Sequence, residues 1–338
     1  MAKLILRRLL QLPLIVLIIY TITLALAWAI PGNPLEKDGR RPKPEIQQAM
    51  LRQYNLDSFP RFYVSYLYNA SGMRWVTERL DGTASRRVVT ANAVGTVAPQ
   101  DRVFDLGPSL TQENWRVNEI IAASLPVSIT LGATAILIAL GIGLAAGVIG
   151  AVRPNSLADI ATLGVSLVGI SQPSFVIGTI LLIVFCVWMP LFPVGEWSAG
   201  GFARGASILP ALTLSLPFAA YIARLTRMGM IDVLGADYIR TARAKGLSES
   251  RVILKHALKN AFLPVLSYLG PACALAMTGS FVVERVFNVP GIGQHFVNAV
   301  LNKDLFVIIG VVLVFSTMLI LFNLAVDVLY RWVDPRIE

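Results

Sequence analysis

Side chains that could act as catalysts or metal ligands are scarce in this chain. Its 338 residues include two histidines, His256 and His295, far apart in sequence, and two cysteines, Cys186 and Cys273, each within an apolar run. The cysteines therefore predict neither a disulfide framework nor a cysteine-based metal site. A nucleotide-binding loop of the pattern Gly-x-x-x-x-Gly-Lys-Ser/Thr does not occur. Nucleotide hydrolysis is not expected on this chain.

The most informative polar segment is basic and covers residues 237–260. Its residues predict a helix to Lys245, a stop at Gly246 with positive φ, and a second helix that begins at Ser248 as N-cap. Two short helices joined by a tight turn form a compact knob, which suggests docking of a soluble partner. The alternative is an amphipathic helix lying on anionic lipid.

The composition indicates what must position this segment. Hydrophobic residues make up 55% of the chain and charged residues 14%, with a mean hydropathy of +0.66. Soluble domains carry roughly 25% charged residues, so a polytopic membrane protein is expected. An α-helix crosses the roughly 30 Å hydrocarbon layer in about 20 residues. Six stretches are long enough, at about 9–30, 121–150, 157–189, 207–230, 261–283 and 306–330.

Two features of these spans predict local geometry. Pro173 lies inside the third stretch, which is long enough either to tilt or to contain a break there. Gly143 and Gly147 are four residues apart in the second stretch, a spacing typical of close helix packing.

Lysines and arginines in the short connections indicate the orientation. Residues 224–260 hold eight basic residues against three acidic ones, whereas the short loops on the opposite side are near neutral. We therefore expect both termini and residues 231–260 in the cytoplasm and residues 31–119 outside. Topology and anionic lipid account for most of the net charge of +9, so nucleic-acid binding is not expected.

The chain divides into a cytoplasmic end with the first span (1–30), an extracytoplasmic region (31–119) and a transmembrane core (120–338). The first span resembles a signal peptide, but its apolar run exceeds the usual 7–15 residues, so we expect an uncleaved helix. Within the second region, residues 45–52 predict an amphipathic helix and residues 62–68 are aromatic-rich. Residues 70–103 lack periodicity and leave a small hairpin or a loop open.

Residues 238–247, YIRTARAKGL, resemble the ATPase-docking loop of ABC-importer permeases in its dipeptide and oligopeptide form. The family pattern is Glu-Ala-Ala, three residues, Gly, nine residues, Ile-x-Leu-Pro. Here Arg240-Thr241-Ala242 replace Glu-Ala-Ala, while His256 and Lys259 replace Ile and Pro, departures typical of the peptide-permease branch. Further resembling segments, ordered as in the B-type subunit of an oligopeptide permease, are residues 29–34, 54–57, 105–109, 278–280, 289–294, 327–330 and 334–336.

The resemblance implies the fold of a type I ABC importer permease in a bacterial cytoplasmic (inner) membrane. It also implies a second permease subunit, two cytoplasmic ATPase subunits that bind ATP and Mg, an extracytoplasmic peptide-binding protein, and no cofactor on this chain. Selectivity is then expected mainly in the binding protein. The docking-loop residues that the resemblance implies are Arg240, Thr241, Ala242, Arg243, Lys245, Gly246, Leu247, Ser248 and Arg251.

A peptide pathway should be wide and unspecific, because peptides share a backbone but differ in side chains. The polar span residues that we assign to it are Ser171, Gln172, Ser174, Thr213, Ser215 and Thr278. For each of them, a hydrogen bond between helices is the alternative.

Three other functions are alternatives to peptide import. Related permeases carry nickel, glutathione or antimicrobial peptides, and the sequence leaves this choice open. An intramembrane enzyme would need a constellation such as Ser with Lys or His, and His256, His295 and the lone Asp327 do not form one. A channel or ion-coupled carrier usually keeps ionisable residues at mid-membrane, and these spans hold almost none.

Overall fold

The computed structural model describes residues 2–31, 35, 43–81, 102–112, 114–193, 197, 205 and 207–333. Within these ranges the chain is helical, with one isolated bridge between Pro108 and Arg116 and no strand, which confirms the expected all-α fold. Two π-helical turns, Ile183–Trp188 and Val252–Ala257, follow the α-helices Ser174–Leu182 and Glu249–Arg251. The helices are α1 (Ala2–Ala29), α2 (Pro44–Gln53), α3 (Phe59–Ala70), α4 (Met73–Leu80), α5 (Val117–Val152), α6 (Leu157–Ser171), α7 (Ser174–Leu182), α8 (Ile208–Leu234), α9 (Asp237–Ala244), α10 (Glu249–Arg251), α11 (Leu258–Ala261), α12 (Leu263–Met277), α13 (Phe281–Val286), α14 (Ile292–Leu301) and α15 (Leu305–Val333).

In the described ranges, the helices long and apolar enough to cross a membrane match the predicted stretches. Five are single spans, and a bent pair, Leu157–Ser171 with Ser174–Trp188, makes a sixth if its halves cross together. The single spans are Leu10–Ala29, Val117–Val152, Ile208–Leu234, Leu263–Val286 and Leu305–Leu329.

The bent pair turns through 104° between its two halves. Gln172 at the bend is extended (φ −88°, ψ 133°), and Pro173 follows it. Proline has no N–H to donate and disfavours a helical conformation in the residue before it, so α6 ends here. Of the two alternatives that the sequence left open, a tilted span or a break at Pro173, the structure shows the break.

One unit of the chain comprises residues 1–14, 124–294 and 315–338, and its core lies between α5, α8, α12 and α13. A β-carbon added to Gly143 would lie 2.7 Å from the Ala219 carbonyl oxygen, and one added to Gly147 would lie 2.7 Å from that of Ala223. The backbones of α5 and α8 therefore approach too closely for any residue but glycine at these two positions. The packing predicted from the glycine spacing is confirmed.

The second unit comprises residues 15–123 and 295–314. Aromatic rings from α1, α3 and α15 form its centre, with the centroids of Phe62 and Phe306 5.3 Å apart and those of Tyr20 and Tyr66 5.7 Å apart. The predicted amphipathic helix is α2, and the aromatic-rich stretch lies in α3. The helix α4 was not predicted, and residues 82–101 of the undecided 70–103 stretch lie outside the described residues.

Candidate functional site

The candidate site is the docking segment, which we define as residues 237–257. Its helix α9 ends at Ala244, and Gly246 follows with φ +75° while its N–H donates to the Arg243 carbonyl at 2.9 Å. Ser248 has extended backbone (φ −61°, ψ 143°) and begins α10, although its side chain caps no N–H. The predicted helix, glycine turn and second helix are all present.

One face of the docking segment packs against the rest of its unit. Ile239 and Ala242 of α9 are buried against Met230 of α8 and against Val252 and Ala257. This burial follows from the three-residue spacing of Ile239 and Ala242, which places both side chains on one side of α9. Ala242, which the resemblance assigned to the docking loop, therefore faces inward, and Leu247 packs against the same cluster.

The opposite face is exposed and basic. The remaining predicted docking residues, which are all exposed, are Arg240, Thr241, Arg243, Lys245, Gly246, Ser248 and Arg251. A β-carbon added to Gly246 would meet no atom of this chain within 4 Å. The turn is therefore a protruding point that has room for a partner.

Two of the basic residues already have acidic neighbours in the docking segment. Arg243 donates from Nη2 to Glu249 Oε1 at 2.7 Å across the turn, and the Glu249 carboxylate raises the pKa of the Arg243 guanidinium. Arg240 lies 3.5 Å from Asp237, with both side chains largely exposed. Within the described ranges, Lys245, Arg251 and Lys255 are exposed and form no ion pair, so these three cations of the docking segment are available to an acidic partner.

The polar residues assigned to a pathway do not form one cluster. Ser171 and Gln172 are exposed at the bend, and Ser174 is half-buried beside them. Thr213 and Ser215 are fully buried in α8, where their hydroxyls donate to the carbonyls of Leu209 and Leu212. The Thr278 hydroxyl likewise donates to the Ala274 carbonyl at 2.7 Å. The structure therefore places only the three residues at the bend together.

Sequence reasoning did not predict the burial of four carboxylates, those of Asp105, Asp159, Glu284 and Asp304. Glu284 accepts hydrogen bonds from Ser128 Oγ at 2.7 Å and from the Gln294 N–H at 3.2 Å. The sequence does contain a signal for Glu284, because this single acidic residue lies in an apolar run between Gly279 and Gly291. In the structure, a β-carbon added to either glycine would come into contact with the Glu284 carboxylate.

The second unit also contains a buried carboxylate, that of Asp304, which lies immediately before α15. Its Oδ2 accepts hydrogen bonds from Ser109 Oγ at 2.5 Å, the Leu110 N–H at 2.8 Å and Thr111 Oγ1 at 3.0 Å. Asp304 therefore fixes the 109–111 loop to the start of the last helix. Nothing in the local sequence around Asp304 specifies these partners, which lie almost 200 residues earlier.

The expectation that Asp327 stands alone is wrong. Its Oδ2 lies 3.0 Å from Arg8 Nη2, which ties the start of α1 to α15 within one unit. Among the residues that the structure describes, no group of three or more His, Cys, Asp or Glu side chains is arranged to hold a metal ion.

These features define a multi-span helical membrane protein with a basic segment outside its spans. Residues 138–338 match the family model described as the binding-protein-dependent transport system inner membrane component. The chain belongs to this family and is a permease subunit of an ABC importer.

Curated relatives match the whole chain. The oligopeptide transport system permease protein OppB of Salmonella typhimurium (strain LT2) is 40% identical over 340 residues, covering 100% of both chains. The dipeptide transport system permease protein DppB of Bacillus subtilis (strain 168) is 37% identical over 339 residues, covering 100% of this chain and 98% of that protein. A chain of the inward-facing MetNI methionine ABC transporter is 17% identical with a TM-score of 0.48, and the match covers 64% of this chain and 97% of that one.

Proposed function

We propose that this chain forms, with a second permease subunit, the membrane pathway of an ATP-driven importer of peptides. The observation that carries the proposal is the identity of 37–40% to oligopeptide and dipeptide permeases along the full length of the chain. An extracytoplasmic binding protein delivers the peptide, and two cytoplasmic ATPase subunits, which bind ATP and Mg, supply the energy.

The docking segment is the contact with an ATPase subunit. Three observations support this assignment: the exposed basic face, the protruding turn at Gly246, and the burial of Ile239 and Ala242, which fixes the segment to α8. Lys245 and Arg251 supply charge to the contact, because the described part of the chain gives them no acidic partner. A segment bound to lipid alone would have little need of a rigid turn.

The docking segment and both termini lie on the cytoplasmic side, and residues 31–119 lie outside. This orientation follows from the basic residues clustered around the docking segment, since the cytoplasmic loops of membrane proteins carry an excess of lysine and arginine. The outer region includes α2, α3 and α4, and rings of α3 pack against rings of α1 and α15.

Peptide import is tested with the complete transporter reconstituted in proteoliposomes. The genes of the second permease, the ATPases and the binding protein are expressed with this chain, and uptake of a radiolabelled pentapeptide is measured with ATP and binding protein. We expect uptake that requires both, that unlabelled peptides inhibit, and that nickel and glutathione leave unchanged. Uptake of nickel or glutathione without peptide uptake would overturn the proposed substrate. Hydrolysis of ATP by the purified chain alone would overturn its role as a transport subunit.

A further inference from the structure

A buried ion pair connects α6 to α8. Asp159 Oδ1 accepts a hydrogen bond from Arg227 Nε at 2.5 Å, and Asp159 Oδ2 accepts one from Arg227 Nη2 at 2.7 Å. Asp159 is 1% exposed and the Arg227 side chain 20%. Two parallel hydrogen bonds between planar groups fix both the distance and the relative orientation of the side chains that carry them.

The local sequence builds the acidic half of the pair. Ser156 precedes α6, and its Oγ accepts a hydrogen bond from the Asp159 N–H at 3.3 Å, while the Asn155 N–H donates to Asp159 Oδ2 at 2.8 Å. Near the end of α5, a β-carbon added to Gly150 would lie 3.0 Å from Asp159 Oδ1. The glycine makes room for the carboxylate, so α5, α6 and α8 meet at this pair.

Arg227 lies close to the docking segment along α8. Only Gly235 and Ala236 separate the end of α8 from α9. Three residues after Arg227, Met230 is fully buried and packs in one cluster with Ile239 and Val252 of the docking segment. A displacement of the docking segment therefore moves the last turns of α8, and Arg227 with them.

Asp159 lies at the start of the bent helix pair. Beyond the ion pair, an open and mostly apolar cavity of about 240 Å³ lies between α6 and the α5 and α8 helices. Its lining includes Val165 and Gly169 of α6, Ile142 of α5, and Ala219 of α8. Within the described residues, the Asp159–Arg227 contact is the one ion pair that joins α6 to α8.

We propose that Asp159 and Arg227 are positioning residues, which transmit movement of the docking segment to the bent helix pair. This inference rests on the proposed docking of an ATPase subunit. Movement of the docking segment shifts the end of α8, the bidentate pair pulls the start of α6, and α6 moves the bend at Gln172 and Pro173. Rigid elements joined at a few contacts are the usual means by which such shifts travel.

The physical chemistry of buried ion pairs makes a role in positioning distinguishable from one in stability. Desolvation of two charges offsets much of their attraction, so an apolar pair of similar volume is often as stable or more stable. An apolar pair, however, has no preferred orientation and lets the helices slide. If Asp159 and Arg227 serve only stability, the double variant Asp159→Leu/Arg227→Met should regain the peptide uptake per ATP that Asp159→Asn loses. If they serve positioning, the double variant should be stable but should not regain that uptake.

The test uses the complete transporter in proteoliposomes, with the variants Asp159→Asn, Arg227→Lys and Asp159→Leu/Arg227→Met. Three quantities are measured: retention of the ATPase subunits, ATP hydrolysis with and without liganded binding protein, and peptide taken up per ATP hydrolysed. The matched control is Arg224→Gln, which removes an exposed arginine one turn earlier in α8.

We expect all variants to retain the ATPase subunits and to hydrolyse ATP. In Asp159→Asn and in the double variant, peptide uptake per ATP should fall about tenfold, a size typical of lost coupling between sites. Arg227→Lys, which keeps the charge but loses the second hydrogen bond, should fall less, and Arg224→Gln should match the unmodified chain.

Uptake per ATP that stays near that of the unmodified chain in either Asp159→Asn or the double variant would overturn the inference. Loss of the assembled complex in both of these variants would also overturn it, because the pair would then serve assembly. Failure of the unmodified chain to retain ATPase subunits would instead overturn the proposed docking, whatever the variants do.

Discussion

The turn at Gly246 gives the sharpest test of the docking segment, through the substitution Gly246→Val. The backbone at Gly246 has φ +75°, in the left-handed region that a β-branched residue strongly disfavours. No atom of this chain lies within 4 Å of the added β-carbon, so the substitution creates no clash inside the chain. Its intramolecular effect is therefore limited to the backbone.

The size of that backbone effect follows from the left-handed conformation. Placing a non-glycine L-residue in this region costs roughly 1–2 kcal/mol. An energy of this size corresponds to a factor of about 5–30 in an equilibrium constant. We expect the affinity of the ATPase subunit to fall by this factor, and by more if the valine methyl groups also enter the contact. Insertion and folding of the spans should not change, because Gly246 is exposed and a β-carbon added to it meets nothing beyond its neighbours in sequence.

Gly246→Asn is the matched control, because asparagine is similar in size to valine but tolerates the left-handed region. The assay measures co-purification of the ATPase subunits in detergent, the amount of the chain in the membrane, and peptide uptake. The valine variant should insert normally but lose ATPase subunits and uptake, while the asparagine variant should lose much less. Full uptake and an intact complex with valine would refute the docking assignment and favour a helix that only contacts lipid.

Two further predictions address charge and orientation. Arg243→Glu should weaken ATPase binding more at low than at high salt, and Glu249→Arg in the same chain should recover only the internal ion pair; salt-independent loss measured by co-purification would contradict a charge contribution. Single cysteines at Ser248 and at the exposed Ser71, with Cys186 and Cys273 replaced by serine, should react with an impermeant maleimide from opposite faces of the membrane, and labelling from one face would contradict the orientation.

The features predicted from the sequence depend on local chemistry. Long apolar runs specify the spans because each helix satisfies its own backbone hydrogen bonds. Pro173 specifies the bend because proline acts on the residue beside it, and Gly246 specifies the turn through its own φ. Gly143 and Gly147 predict close packing because their spacing places both on one side of α5. Each of these signals lies within a few residues of the structure that it determines.

The features that sequence reasoning missed depend on distant partners. The Asp159 carboxylate is bound by Arg227, that of Asp304 by the 109–111 loop, and that of Asp327 by Arg8. A carboxylate near the end of an apolar run has the same local pattern whether it faces lipid headgroups or a buried donor. Only the fold decides between them. The helix α4 was missed because it spans only eight residues, little more than two turns in which to recognise a period.

Asp159, Glu284 and Asp304 differ in what holds them, and this difference bears on which contacts can transmit movement during transport. Glu284 and Asp304 accept hydrogen bonds from backbone N–H groups and hydroxyls, so each holds a loop whose backbone would have to rearrange before the contact could break. Asp159 also accepts a hydrogen bond from a backbone N–H, that of Asn155, but a second helix reaches it through the side chain of Arg227, whose two hydrogen bonds fix the orientation of both groups. Arg227 lies in α8, the helix before the docking segment, and Asp159 lies in the first turn of the bent helix pair. Of these three carboxylates, Asp159 is therefore the one whose partner can carry movement of the docking segment to the bent span.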